Sequence, residues 1–154
     1  MPGPYSIRTC QGTHVGHTRR VNEDALFVSE TEGLWLVADG IGGHGNGDKA
    51  SAAVVEHIKS YRQGDSVEES LAEITSRLRQ AHQACRNMAG AGRPSTTVAA
   101  LIILQSKAIS IWAGDSRIYR LRRGELALLT EDHNLAQQRY RRGELSREAA
   151  QRLK

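Results

Sequence analysis

Residues 34–44 read Leu-Trp-Leu-Val-Ala-Asp-Gly-Ile-Gly-Gly-His, an apolar run that ends in an aspartate and leads into a glycine-rich stretch. Residues 34–38 are apolar on both faces, which predicts a strand in the centre of a sheet. A second apolar run, residues 25–29, precedes it across the turn-forming residues 30–33, so the two runs predict a β-hairpin. Asp39 is therefore expected at the end of a central strand, next to glycines.

Two helices are predicted after the glycine-rich stretch. Residues 48–61 carry apolar side chains at helical spacing, and Ser66 with Glu69 forms a capping box that begins a longer helix. Apolar residues of the longer helix recur in steps of four and three, which predicts that they share one buried face: Val67, Leu71, Ile74, Leu78, Ala81, Cys85 and Met88. Cys85 and Met88 are accordingly interpreted as core residues.

Strand periodicity returns after residues 90–94. The predicted strands are residues 96–104, 108–113, 118–121 and 126–129, with short turns between them. From Leu135 onward the chain is polar and is predicted to be helical, with Ser146 as an N-cap. Strands, then two helices, then strands again predict an α+β fold with helices packed on a largely antiparallel sheet.

The composition excludes several classes of protein. A chain of 154 residues with 39% hydrophobic and 25% charged residues fits one globular domain. The longest apolar run, Val98–Leu104, is too short to span a bilayer, and the first residues lack a signal-peptide pattern. With only Cys10 and Cys85, a disulfide framework is not expected. A cytoplasmic location without a membrane partner is predicted.

Positive charge is concentrated near the end of the sequence. The chain has 21 Lys and Arg against 17 Asp and Glu, a net charge of +4. Six basic residues lie in the last sixteen positions, namely Arg139, Arg141, Arg142, Arg147, Arg152 and Lys154. A solvated helix face is the simpler interpretation of this cluster than a nucleic-acid site, because Tyr140 is the only aromatic residue among them. Nucleic acid is not an expected partner.

Acidic residues occur where predicted strands begin or end. Glu23 and Asp24 directly precede one strand, Asp39 ends its neighbour, and Asp115 follows a later apolar strand. Any one of these aspartates could simply cap a turn. Together, gathered carboxylates repel one another unless a cation lies between them, and hard divalent ions prefer oxygen ligands. A divalent-metal site is the favoured hypothesis, and the glycines that begin at Gly40 would let a backbone carbonyl join it.

A competing interpretation uses the same glycines. Gly40, Gly42 and Gly45 match the spacing of the dinucleotide-binding fingerprint, and Asp65 follows about twenty residues later. Asp39 would place a negative charge beside the pyrophosphate, and no crossover to a parallel strand is predicted. A dinucleotide-binding domain is kept as a remote alternative.

Five motifs in order resemble those of the bacterial metal-dependent protein Ser/Thr phosphatases, the PP2C-like (PPM) family. They are Arg-x-x-Asn-Glu-Asp at 19–24, the stretch at 34–44, Ser-Thr-Thr-Val at 95–98, Trp-Ala-Gly-Asp-Ser-Arg at 112–117 and Leu-Thr-Glu-Asp-His at 129–133. The resemblance implies an α-β-β-α sandwich of two antiparallel sheets flanked by helices. It also implies that residues 1–154 form the N-terminal portion of a single phosphatase domain. The residues in and around the motifs are most similar to those of the branch associated with type VI secretion.

The resemblance also implies a set of metal ligands. Asp39 matches the aspartate that bridges two Mn²⁺ or Mg²⁺ ions, and Gly40 matches the glycine whose carbonyl binds one of them. Glu23 matches an acidic residue of the metal shell, and Asp24 matches a neighbouring carboxylate. Asp115 matches an aspartate linked to a third, weaker metal position.

Catalysis in the family, by the same resemblance, uses a water activated by two metal ions to attack phosphorus. Arg19 matches the arginine that grips the phosphate, with Arg20 as a less favoured stand-in. The implied substrates are proteins that carry phosphoserine or phosphothreonine. In the secretion branch, a Ser/Thr kinase or a forkhead-associated scaffold is the implied partner.

The sequence departs from the family pattern after residue 133. Family members continue to a Ser-Asp-Gly motif and a final aspartate, both metal ligands, which do not occur before Lys154. The 154 residues are therefore expected to be incomplete at the C-terminus and to be a poor phosphatase on their own. A catalytically inactive module that binds phosphoproteins or a kinase is the alternative.

Overall fold

The computed structural model describes residues 6–41, 46–88 and 94–153. Seven strands and four helices lie within these ranges. In chain order they are β1 (Asp24–Ser29), β2 (Leu34–Ile41), α1 (Gly47–Ile58), α2 (Val67–Asn87), β3 (Ser95–Thr96), β4 (Val98–Leu104), β5 (Lys107–Ala113), β6 (Tyr119–Arg122), β7 (Glu125–Leu128), α3 (Leu135–Arg141) and α4 (Arg147–Arg152).

The strands form two antiparallel sheets. The larger sheet has the order β1-β2-β4-β5, with the short β3 paired to the end of β2, and β6 and β7 form a separate hairpin. The predicted α+β class, with helices flanking antiparallel sheets, is confirmed. All pairings between the described strands are antiparallel, so the parallel crossover of a dinucleotide-binding domain does not form there and that alternative is wrong. Gly42 and Gly45 of its fingerprint lie outside the described residues.

The predicted β1–β2 hairpin and the central position of β2 are confirmed. Ser29 pairs with Leu34 across the turn, and β2 lies between β1 and β4. Gly33 is required in this turn because its φ is +56° and a Cβ there would lie 2.3 Å from the carbonyl oxygen of Ile103. Ile103 in turn donates its backbone N–H to the Gly33 carbonyl at 2.7 Å. The turn is thereby fixed to β4.

The hydrophobic core lies on one face of the larger sheet. Alternate residues of β2 and β4 face helices α1 and α2. They are buried together with side chains of both helices and of Tyr61 in the loop between them: Leu34, Leu36, Ala38, Val54, Ile58, Tyr61, Ile74, Ala81, Val98, Ala100 and Ile102. Residues of β2 on the other face are more accessible, and Val37 is 48% exposed. The apolar residues on the two faces of β2 therefore have different environments: those facing the helices are buried, and those on the other face are partly or largely accessible.

The two long helices follow their sequence signals closely. The Ser66 side chain accepts a hydrogen bond from the Glu69 N–H, as a capping box predicts, while Glu69 reaches back to the N–H of Asp65. The predicted stripe of α2 includes the buried Ile74, Ala81 and Cys85. Helix α1 ends at Ile58, before the predicted end at residue 61, although Tyr61 is only 1% exposed.

The later strands differ from prediction at one point. The predicted strand 96–104 is divided into β3 and β4 at Thr97, because β3 pairs with the end of β2 near Gly40 while β4 pairs with its beginning. Ser146 caps α4 as predicted, since its side chain accepts from the N–H of Ala149. None of the helices in the described ranges combines the length and apolar character that crossing a bilayer requires.

The core assignment predicts a large contrast between two leucines. Leu34 is 0% exposed and Leu121 is 70% exposed. Leu34→Ala should lower the free energy of unfolding by about 3–5 kcal/mol, because it removes buried methyl groups and leaves a cavity. The same change at Leu121 should cost less than about 0.5 kcal/mol. Urea unfolding of both variants measures the difference, and equal losses would contradict the assignment of the core.

Candidate metal centre

The pairing of β1 with β2 sets two predicted metal ligands opposite each other. Asp24 and Asp39 are direct partners in the antiparallel register. The adjacent pair, Glu23 and Gly40, is joined by a hydrogen bond from the Gly40 N–H to the Glu23 carbonyl at 3.0 Å. Hydrogen-bonded and non-hydrogen-bonded pairs alternate along an antiparallel ladder, so Asp24 and Asp39 form a non-hydrogen-bonded pair, the kind in which side chains approach most closely. Both carboxylates therefore project from the same face of the sheet, close together.

Glu23 is held beside this pair by a close approach of three backbone segments. A Cβ at Gly40 would lie 2.1 Å from the Gly47 carbonyl oxygen and 2.6 Å from the Glu23 carbonyl oxygen. A Cβ at Gly47 would lie 2.6 Å from Glu23 Oε1. Ser51 also donates its hydroxyl hydrogen to the Glu23 carbonyl at 2.6 Å. Only glycine at both positions lets the end of β2, the start of α1 and the Glu23 side chain meet.

Three acidic side chains act electrostatically on Asp39. The pKa of Asp39 is raised by partial burial, then by the charges of Asp24, Asp115 and Glu23, with a hydrogen bond to Asp24 as a further cause. Asp115 is exposed at the end of β5. The structure thus brings the other three predicted carboxylates within electrostatic reach of Asp39, although the four residues come from three separate parts of the chain.

Thr97 connects the segment around Asp39 to the loop that carries Asp115. Its N–H donates to the Asp39 carbonyl at 2.8 Å, and its hydroxyl accepts from the Asp39 N–H at 3.1 Å. The same hydroxyl lies 2.5 Å from the Ser116 hydroxyl. Residues 95–98 belong to a motif of the resemblance, but no role for Thr97 was predicted.

Arg19 and Asn22 lie in the segment that leads into β1. Asn22 accepts from the Asp24 N–H at 3.1 Å and donates to the Thr13 hydroxyl at 2.7 Å, so it fixes the start of the strand. Arg19 is exposed and forms no ion pair or hydrogen bond within the described part of the chain. The structure therefore leaves the Arg19 guanidinium available for an anion without bringing it into contact with the carboxylates.

A surface groove of about 340 Å³ lies next to the paired aspartates. Its wall is formed by the segment before β1 and by the accessible face of the hairpin, and it includes Thr13, Asp24, Val37, Asp39 and Ser116. The groove makes the two carboxylates reachable from solvent on the face of β2 opposite the core.

The donor atoms suit a hard divalent cation. Clustered carboxylates in which one pKa is raised by its neighbours are stabilised when a cation lies among them. Within the described residues, however, no three His, Cys, Asp or Glu side chains converge closely enough to form a complete metal site. Asp24, Asp39, Glu23 and Asp115 therefore fit part of a coordination shell for Mn²⁺ or Mg²⁺.

Acidic and basic side chains further along the chain are paired with each other. Asp132 binds Arg117 through both carboxylate oxygens, at 2.8 and 2.7 Å. Glu131 binds Arg141 and accepts a hydrogen bond from Gln137. Glu144 pairs with Arg139. Arg139 and Arg141 of the basic cluster are thus engaged in surface ion pairs, and Lys154 lies outside the described residues.

The chain is similar to known protein phosphatases in sequence. The Protein phosphatase 2C family matches residues 11–152. A serine/threonine phosphatase of Listeria monocytogenes, stp, is 34% identical over 152 residues, which cover 90% of this chain and 59% of the relative. The chain therefore spans about 59% of the length of the curated relatives of this kind that it matches.

Solved structures share this part of the fold. The phosphatase PstP/Ppp of Mycobacterium tuberculosis aligns with a TM-score of 0.77 at 27% identity, covering 89% of this chain and 59% of that one. PppA of Pseudomonas aeruginosa, described as a key regulatory component of T6SS, aligns with a TM-score of 0.71 at 34% identity over 82% of this chain and 57% of its own. A PstP catalytic domain in complex with two manganese ions aligns with a TM-score of 0.75 at 28% identity over 90% of this chain and 61% of its own.

The pairing of Asp24 with Asp39 predicts how Asp39→Asn changes the melting temperature in the absence and in the presence of Mn²⁺. Asp39→Asn in the metal-free chain should raise the melting temperature, because it removes a like-charge pair across two strands. Added Mn²⁺ should raise the melting temperature of the unmodified chain but not that of Asp39→Asn, since only the former binds the ion in its folded state. Thermal unfolding with and without Mn²⁺ measures both effects. Asp65→Asn, at an exposed position outside the cluster, is the matched control and should behave as the unmodified chain does.

The Glu131 ion pair predicts a dependence of stability on pH. Hydrogen bonds from Arg141 and Gln137 lower the pKa of Glu131 from 4.5 to about 2. Because the pKa of Glu131 is lower in the folded chain than in the unfolded chain, its ionised form stabilises the folded chain above about pH 4.5. This stabilisation is lost as the pH falls toward about 2. Glu131→Gln should therefore reduce the loss of stability on acidification, by a small amount because the pair is exposed. Urea unfolding of both proteins at several pH values tests this, and an identical pH dependence of Glu131→Gln and the unmodified chain would contradict it.

Proposed function

The chain belongs to the Protein phosphatase 2C family, and on that premise we propose that it forms part of a metal-dependent protein serine/threonine phosphatase. The reaction is hydrolysis of phosphoserine and phosphothreonine in proteins. The observation that carries the proposal is the register that pairs Asp24 with Asp39, with Glu23 and Asp115 within electrostatic reach. The full activity is proposed for the protein as a whole, because the chain spans only about 59% of the length of the Listeria monocytogenes phosphatase stp.

Mn²⁺ or Mg²⁺ is the proposed cofactor, two ions in each complete active site. Asp39, the Gly40 carbonyl and Glu23 are the proposed ligands, with Asp24 as a supporting carboxylate and Asp115 at a further metal position. When bound, the ions would supply Lewis-acid activation of the attacking water. The similarity to a PstP catalytic domain that holds two manganese ions supports this assignment.

This chain's own residues have three further tasks. The paired carboxylates of Asp24 and Asp39 concentrate negative charge at the accessible face of the hairpin and so favour a cation there. Gly40 and Gly47 keep the backbone close to Glu23, which holds that carboxylate in place. Arg19, which has no partner within the described residues, would bind the oxygens of the substrate phosphate through its planar guanidinium.

The cellular setting is proposed from the resemblance and from one relative. PppA of Pseudomonas aeruginosa, 34% identical to this chain, is a regulatory component of T6SS. We propose a corresponding role here, with a cytoplasmic location and a phosphorylated Ser/Thr kinase or forkhead-associated scaffold as substrate. Residues 1–154 are proposed to belong to a single phosphatase domain, as its N-terminal portion.

Neighbouring arginines provide a matched test of the proposed activity. In the protein at its natural full length, Mn²⁺ should support hydrolysis of a phosphothreonine peptide, and Asp39→Asn should abolish it. Arg19→Ala should lower kcat/KM about 30–100-fold, since a hydrogen-bonded contact to a charged phosphate contributes about 2–3 kcal/mol, with little change in melting temperature. Arg20→Ala should change kcat/KM less than about threefold.

Different outcomes of this experiment distinguish the alternatives. Peptide binding without any hydrolysis at millimolar Mn²⁺ would favour the inactive phosphoprotein-binding module. A lower melting temperature of Arg19→Ala with unchanged kinetics would make Arg19 a structural residue. Equal losses in kcat/KM for Arg19→Ala and Arg20→Ala would contradict the assignment of the phosphate contact to Arg19.

A further inference from the structure

Residues 129–133, here called the bracing loop, contact the Asp115 loop, residues 114–117, on both sides of Asp115. On the C-terminal side, Arg117 donates from Nε and Nη2 to the two oxygens of Asp132, at 2.8 and 2.7 Å. The Asp132 side chain is 8% exposed and that of Arg117 is 30% exposed. A planar, two-oxygen pair at this depth fixes orientation as well as distance.

His133 makes a corresponding contact on the N-terminal side of Asp115. Its N–H donates to the Gly114 carbonyl at 2.9 Å, and its Nδ1 accepts from the Gly114 N–H at 3.3 Å. Gly114, immediately before Asp115, is thus bound to His133, and Arg117, two positions after it, is bound to the adjacent Asp132. Asp115 itself forms no hydrogen bond or ion pair within the described residues, so its carboxylate is held in place through its neighbours.

The bracing loop is itself attached to the larger sheet. Trp112 in β5 donates its indole N–H to the Glu131 carbonyl at 2.8 Å, and its ring stacks on His133 with centroids 6.0 Å apart. Thr130 is 6% exposed and accepts from the Ile118 N–H at 3.2 Å. The loop therefore has a fixed position relative to the strand that ends just before Asp115.

The Asp115 loop is joined to the Asp39 strand by a second set of contacts. Ser116 lies against Thr97, whose hydroxyl and N–H bind the backbone of Asp39. A change in the angle of the Asp115 loop would alter the separation of the Asp115 and Asp39 carboxylates, because Ser116 is anchored while Asp115 is not. The bracing loop is placed to set that angle.

We propose that Asp132 is a positioning residue for the metal centre, which acts on bound metal through Arg117 and Asp115. This inference rests on the proposed function, since it assumes that Asp115 contributes a further metal position to the divalent-metal centre that contains Asp39. Residues that orient metal ligands without touching the ion commonly change metal affinity 10–100-fold when they are replaced. Loss of the Asp132 carboxylate should therefore weaken Mn²⁺ binding although the residue is not a ligand.

The test is a double-mutant cycle read out by Mn²⁺ affinity, measured by isothermal titration calorimetry on the 154-residue chain. Asp132→Asn should raise the Kd for Mn²⁺ about 10–100-fold. In the Asp115→Asn background the same change should raise it less than about twofold, because the residue through which Asp132 acts is already lost. Glu131→Gln is the matched control, since it breaks the neighbouring carboxylate–arginine pair, and it should leave the Kd within about twofold of the unmodified chain.

The outcomes separate this inference from the proposed function. One result would overturn the positioning role but leave the proposed metal centre intact. In that result, Asp39→Asn abolishes Mn²⁺ binding, and Asp132→Asn weakens it equally in the unmodified chain and in the Asp115→Asn background. Absence of Asp39-dependent Mn²⁺ binding in the unmodified chain would overturn both. If circular dichroism shows that Asp132→Asn does not fold, Arg117→Lys replaces it in the cycle, because it keeps the charge but loses the planar two-oxygen contact.

Discussion

Two negatively charged side chains face each other across β1 and β2, and this pairing constrains the rest of the structure. Like charges in direct opposition destabilise a pair of strands, so the register must be enforced by other residues. Leu34, Leu36 and Ala38 supply that enforcement because they alternate into the core beneath α1 and α2. A slip by one residue would move all three to the accessible face. Burial of one face of β2 therefore holds Asp39 opposite Asp24 on the other.

Close backbone approach around Gly40 and Gly47 adds a third carboxylate to this arrangement. The end of β2 meets the start of α1 with the Glu23 side chain beside them, and neither glycine has space for a Cβ. Thr97 then fastens the Asp115 loop to the same strand end through the Ser116 hydroxyl. Sheet pairing, glycine packing and one threonine thus gather acidic side chains from separate parts of the sequence. Partial burial and then the charges of the neighbouring carboxylates raise the pKa of Asp39, and a cation bound among these side chains would favour their charged forms.

The contacts of the bracing loop show how surface charge is divided between structure and function. Asp132 and Glu131 are adjacent carboxylates, and each pairs with an arginine. The Asp132 pair is the less exposed of the two and joins the Asp115 loop, whereas the Glu131 pair joins α3 at the surface. Arg19, by contrast, is unpaired within the described residues and is available to a phosphate anion. Charged residues that look equivalent in the sequence therefore have three different environments.

The sequence by itself determined the local elements and the kinds of residue at the site. The hairpin, the Ser66 capping box, the stripe of α2 and the strand-end carboxylates follow from short-range spacing, because each depends on neighbours within a few residues. Tertiary structure alone decided which face of β2 is buried, the exact register that makes Asp24 and Asp39 direct partners within the predicted hairpin, and the break of strand 96–104 at Thr97. It also decided that Asp132 and His133 hold the Asp115 loop from both sides. These features depend on pairing between residues far apart in the chain, and a single sequence contains no periodic signal for the partner of a strand or loop.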